Sequence, residues 1–133
     1  MAFINQGRHI GTVGLKPAFS VESSEGGCVN YTDGGTDYTA CTFTSSGILT
    51  ITGTGNIDSL IISGGGGAGA HGNANEEGGW FGGGGGAGGM LVTTNTEMVA
   101  GTYTVEVGAG GTGSGSPNAA RTGNLSWITP QRV

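Results

Sequence analysis

The chain has 133 residues, of which 32 are glycine, with four basic and nine acidic side chains and a formal net charge of −5. One domain is the expectation from length, yet Leu, Ile, Val and Phe together supply only about a fifth of the residues, near the composition at which a highly charged chain stays disordered. Glycine loses the most backbone entropy on ordering, so a fold of this chain needs main-chain hydrogen bonding or burial between subunits beyond an ordinary apolar core, which disfavours a compact monomeric enzyme.

The basic residues Arg8, Lys16, Arg121 and Arg132 form no cluster, which argues against a nucleic-acid backbone or an anionic membrane as partner. Residues 1–10 lack the apolar core of a secretory signal, and no stretch is apolar for the length of a membrane span; the expectation is a soluble chain without an export signal. Residues 1–37 read as an irregular arm, punctuated by Pro17, Gly26, Gly27, Gly34 and Gly35. Cys28 and Cys41 could be bridged, but two cysteines make no disulfide framework and only half of a zinc site, and the reading favours free thiols.

Residues 38–133 read as a glycine-rich β module. Residues 38–44 are β-branched and aromatic, Ser45, Ser46 and Gly47 make a turn, and residues 48–52 resume the β pattern, which predicts a hairpin. A second turn at residues 53–56 leads into 57–63, where Leu60, Ile61 and Ile62 read as buried on both faces. Residues 90–94 form another strand. Residues 102–107 follow with Tyr103, Val105 and Val107 on one face and Thr102, Thr104 and Glu106 on the other. Residues 124–128 close the chain as a last strand.

Between these strands lie the glycine runs. Residues 64–89 include 15 glycines among 26 residues, in two runs separated by the polar loop 71–79 and by Trp80 and Phe81; a third run covers residues 108–115. Glycine-rich composition usually implies a flexible linker, but each run adjoins a strong β segment and there are no separate domains to join. The alternative is a set of extended threefold helices of polyproline II type, whose N–H and C=O groups must be satisfied by neighbours when buried. Only glycine lets such backbones approach closely, which assigns packing roles to Gly64, Gly65, Gly66, Gly67, Gly82, Gly83, Gly84, Gly85, Gly86, Gly108, Gly110 and Gly111. Ala68, Ala70, Ala87 and Ala109 then point outward. Three chains about a threefold axis would bring nine runs together, which makes a homotrimer the expected assembly. Gly84→Val is the substitution expected to separate a tolerant linker from a packed helix.

Motifs for chemistry fail on context. Residues 108–113 match G-x-G-x-x-G after a strand, but a dinucleotide site needs a following helix and an acidic residue about twenty positions on; Pro117 breaks any helix and no acidic residue follows Glu106. A P-loop is excluded because the only lysine is Lys16. The runs carry no aspartate of the kind a calcium-binding β-roll repeat uses, and Asp33 and Asp37 read as turn chemistry. Glu76 and Glu77, near His71, lack an apolar pocket to separate their pKa values and read as a solvated loop. No nucleophile, base and acid can be picked out, so no cofactor, metal or catalytic residue is expected; a cofactor-binding enzyme is the remote alternative. Trp80 and Phe81 read as a cap over the glycine array, with an exposed ligand platform as the other reading.

The succession of residues 43–52, residues 57–62 opening into 64–67, residues 82–89, Gly101-Thr-Tyr-Thr-Val-Glu-Val-Gly-Ala-Gly-Gly111 and residues 123–126 resembles the glycine-rich module of tailed-bacteriophage tail-fibre and adhesin proteins. The resemblance spans about residues 38–128. It implies an all-β fold, a small β-sandwich extended by ordered polyglycine-type segments, in a non-enzymatic protein of the virion surface with recognition loops at one end. His71, Asn73, Asn75, Glu76, Glu77, Trp80 and Phe81 would form such a loop, facing a host glycan or protein. Unlike long fibre proteins, the chain shows no shaft. Phe3, Ile4, Arg8, Ile10, Lys16 and Phe19 would anchor the arm to another virion protein of the tail, the baseplate or the capsid, the last making it a capsid decoration protein.

Overall fold

The structure is a computed structural model that describes residues 2–6, 19–24, 27–71, 81–113, 120–129 and 131–132. It is all-β. In chain order the strands are β1 (Ala2–Gln6), β2 (Ser20–Ser23), β3 (Cys28–Asp33), β4 (Thr36–Phe43), β5 (Gly47–Thr52), β6 (Gly55–Ile62), β7 (Gly69–His71), β8 (Phe81–Gly83), β9 (Met90–Met98), β10 (Gly101–Glu106), β11 (Trp127–Ile128) and β12 (Gln131–Arg132).

Two five-stranded antiparallel sheets, ordered β3-β4-β1-β6-β9 and β12-β11-β10-β5-β2, and a two-stranded sheet of β7 and β8 account for all of them. Alternation along each strand sends every second residue inward. Cys41 and Phe43 of β4, Ile57 and Ile61 of β6, and Met98 of β9 meet Val21 of β2, Leu49 and Ile51 of β5, Val105 of β10 and Ile128 of β11 in one core, as in a small sandwich. Tyr103 and Val107 pack against that core beside Val105, as the alternation predicts.

Three expectations about the strands are corrected. The described parts of residues 1–37 are not irregular: β1 lies between β4 and β6, β2 pairs β5 and β3 pairs β4. Phe3 and Ile4 therefore belong to a central strand and Phe19 to the core, whereas Arg8, Ile10 and Lys16 lie outside the described residues. Residues 38–44 and 48–52 do not form a hairpin, because β4 and β5 enter different sheets and β5 instead pairs β10 and β2. Local β-propensity and a turn signal cannot distinguish a hairpin from a crossing between layers. Of the three consecutive apolar residues in β6, Ile61 is buried while Leu60 and Ile62 are half-buried on the opposite face.

Cys28 and Cys41 form a disulfide, with Cα atoms 4.1 Å apart, which corrects the free-thiol reading. Directly opposed residues of antiparallel strands bring their Cβ atoms close, and the β3–β4 register sets Cys28 against Cys41. The register follows from the Gly34–Gly35 turn, where both glycines have positive φ (56° and 79°), as a tight hairpin turn requires. Asp37 accepts a hydrogen bond from the Thr32 hydroxyl beside that turn, consistent with turn chemistry for the Asp33 and Asp37 pair.

Candidate functional site

Four extended segments leave or enter the sandwich at one end. β6 continues into residues 63–68 and β10 into 108–113, while 84–89 lead into β9 and 120–126 into β11. Their main-chain bonds repeat every third residue. The N–H groups of Ser63 and Gly66 donate to the carbonyls of Gly89 and Gly86, both at 2.9 Å. Those of Gly64 and Gly67 donate to Asn124 (3.0 Å) and Arg121 (2.9 Å), and those of Asn124 and Arg121 donate in turn to Ala109 (2.8 Å) and Thr112 (3.2 Å). Gly111 donates to Gly65 at 2.7 Å.

In each of these pairs the acceptor number falls by three as the donor number rises by three. That is the signature of antiparallel threefold helices, which have three residues per turn and no internal hydrogen bonds. The runs are thus ordered, and their bonding partners lie in the same chain. Residues 120–126 form a fourth member that sequence reading missed, assigning 124–128 to a strand. Its only glycine, Gly123, was the available signal: a Cβ there would fall on the Gly64 carbonyl.

The same period decides which glycines are required by space. A Cβ at Gly64, Gly67, Gly85, Gly88, Gly108 or Gly111 would coincide with a neighbouring carbonyl, belonging respectively to Ala109, Thr112, Gly66, Ser63, Asn124 and Arg121. At Gly65 it would lie 3.0 Å from the Gly86 carbonyl, and at Gly66, Gly82 and Gly110 it would make ordinary contact. Among the described residues, Gly83, Gly84 and Gly86 face nothing within 4 Å. Gly84→Val therefore does not report on packing within the chain, and Gly85 and Gly88 take that role. Ala68, Ala87 and Ala109 are exposed as expected, and the side chain of Ala70 lies outside the description.

Serine hydroxyls join the sheets to this lattice. The Ser126 N–H donates to Ser63 Oγ at 2.8 Å, the Gly108 N–H donates to Ser126 Oγ at 2.9 Å, and the Val107 N–H donates to Ser46 Oγ at 3.0 Å. Ser63 and Ser126 are buried, so the hydroxyls satisfy amides at the point where ladder bonding stops.

The far end of the lattice carries two connections. β7 and β8 pair Gly69 with Gly83 and His71 with Phe81, and form the stem of residues 72–80. A Cβ on Gly113 would lie 3.3 Å from the Ala68 carbonyl, and one on Gly69 would lie 3.8 Å from the Ala120 Cβ. The connection 114–119 therefore starts and ends beside the same stem. Of the predicted recognition loop, His71 and Phe81 are in paired strands, whereas Asn73, Asn75, Glu76, Glu77 and Trp80 lie outside the described residues, as does the choice between cap and platform for Trp80. The G-x-G-x-x-G segment 108–113 is one of the threefold helices, with the Ala109 and Thr112 carbonyls and the Gly111 amide engaged by neighbouring runs.

No curated protein and no solved structure matches the chain. The model of a glycine-rich domain family matches residues 39–129, which is more than half of the chain. That span takes in all four threefold helices and most of the strands around them, and the protein belongs to this glycine-rich domain family.

Proposed function

We propose that the protein is a non-enzymatic structural component of a bacteriophage virion surface, resembling a tail fibre or adhesin. The observation that carries the reading is the hydrogen-bonded glycine lattice, which extends from one end of the sandwich and holds two connections, 72–80 and 114–119, at its other end. Such a body is a stiff spacer: its backbone is cross-bonded every third residue, and side chains are excluded from its interior. The connection 72–80, with Asn73, Asn75, Glu76, Glu77 and Trp80, is the part offered to a host surface glycan or protein.

Attachment to another virion protein then falls to the sandwich. Cross-strand partners share a face, and the register brings Val29, Tyr31, Leu60, Ile62, Met90 and Val92 to the outer face of the β3-β4-β1-β6-β9 sheet. Val29, Tyr31, Met90 and Val92 are exposed there, an apolar surface suited to a protein partner. The test is quantitative mass spectrometry of purified virions. A few copies per particle support a tail location and hundreds mean capsid decoration; absence from particles rejects the reading.

A further inference from the structure

Successive N–H groups of a threefold helix point about 120° apart, and a trans peptide sets each C=O opposite the following N–H. A run therefore has six neighbour directions. Around residues 63–68, the N–H groups of Ser63 and Gly66 fix the direction of 84–89, and those of Gly64 and Gly67 fix that of 120–126, a third of a turn away. The Gly65 carbonyl, opposite the Gly66 N–H, puts 108–113 on the far side from 84–89. Segments 108–113 and 120–126 must then be adjacent, and they bond to each other.

One position is left between 84–89 and 120–126, and a groove of about 350 Å³ lies there, lined among others by Gly64, Gly66, Gly86, Gly123 and Leu125. The Gly64 and Gly67 carbonyls lie opposite the Gly65 and Ala68 N–H groups, so they point in this direction. Among the described residues, neither accepts a hydrogen bond. The groove thus presents acceptors three residues apart between walls of main chain, and admits only a partner without side chains on the facing side.

The chain itself offers such a partner. Among the described residues nothing lies within 4 Å of a would-be Cβ at Gly83, Gly84 or Gly86, so no described neighbour in their own chain requires glycine there, although glycine loses the most entropy on ordering. The amides of Gly84, Gly85 and Gly86 also have no acceptor among the described residues, giving unused donors in a threefold segment to match unused acceptors in a groove of the same period. We propose that the groove between residues 84–89 and 120–126 receives the run 82–86 of a second copy of this chain. Because Gly86 of that run also lines the groove, the contact is reciprocal, and a twofold axis closes the assembly.

Analytical ultracentrifugation of the full chain tests this. A discrete oligomer is expected, and Gly84→Val or Gly86→Val should convert it to monomer while leaving the far-ultraviolet circular dichroism of the sandwich unchanged. Leu125→Arg, which obstructs the groove from its other wall (Leu125 is 59% exposed), should do the same, and in the oligomer the Gly84–Gly86 amides should exchange at least tenfold more slowly than in these variants. A wild-type chain that stays monomeric up to about millimolar concentration, where even weak association registers, overturns the proposal. So does an oligomer that survives both the glycine and the Leu125 substitutions. Neither result depends on whether the chain is found in virions.

Discussion

Ser126 and Ser63 are joined where the sheets end and the glycine lattice begins: the Ser126 amide donates to the Ser63 hydroxyl at 2.8 Å, and the Ser126 hydroxyl accepts the Gly108 amide. Both side chains are buried. The arrangement ties together the outgoing run from β6, the outgoing run from β10 and the returning run into β11.

Ser126→Ala leaves the half-buried Gly108 amide without its acceptor, and an unsatisfied buried group costs about 1–3 kcal/mol. Urea unfolding should show a loss of that size. The double variant with Ser63→Ala should lose less than the sum of the two singles, because the residues act in one network. Full additivity would mean that the two hydroxyls act independently.

Alanine scanning across residues 82–88 should give a pattern set by the helix period. Gly85→Ala and Gly88→Ala drive a methyl group into the Gly66 and Ser63 carbonyls, and overpacking of this kind costs about 1–3 kcal/mol, occasionally more. Gly84→Ala meets no atom of the described residues within 4 Å and should leave the stability of the monomer unchanged or raise it by about 0.4–1 kcal/mol through the unfolded state. Thermal melts of the three variants check this, and equal effects at Gly84 and Gly85 would contradict the packing described.

Amide exchange should follow the same period. Gly64, Gly66 and Gly67 donate to carbonyls of neighbouring runs and should be protected, whereas the Gly65 amide, which has no acceptor among the described residues, should exchange faster than both of its neighbours. Uniformly fast exchange across residues 64–67 is what a flexible linker would give.

The Cys28–Cys41 disulfide closes a hairpin of sequence separation 13, and a loop of that length corresponds to about 3 kcal/mol in the chain-entropy view. Adding a reductant in mid-transition urea should shift the unfolding midpoint downward. Cys28→Ala should reproduce the shift and make the protein indifferent to reductant.

Asn95 is the one non-glycine residue with positive φ (54°) among those described. It sits where the β6–β9 register shifts, donating its amide to Asp58 and accepting from the Asn56 side chain. Left-handed backbone costs a side-chain-bearing residue about 1–2 kcal/mol, least for Asn. Asn95→Ala should therefore destabilise by roughly that amount in a chemical melt, and Asn95→Gly by less, as glycine adopts this conformation freely.

Much of this architecture was legible from composition and local pattern. Glycine runs set against β-branched strands indicate ordered threefold helices, because a side-chain-free backbone placed beside a core must bond to something. The alternation of Tyr103, Val105 and Val107 likewise fixes which face of β10 is inward.

Which glycine matters is a different kind of fact. Gly84 and Gly85 are identical in sequence, yet one faces open space and the other the Gly66 carbonyl, because the difference lies in a neighbour nearly twenty residues away. The membership of β4 and β5 in different sheets, the insertion of β1 between β4 and β6, the Cys28–Cys41 bridge and the fourth helix at residues 120–126 are of the same sort. Propensity and turn chemistry act over a few residues, whereas these features depend on which distant segments supply hydrogen-bond partners, and only the folded chain decides that.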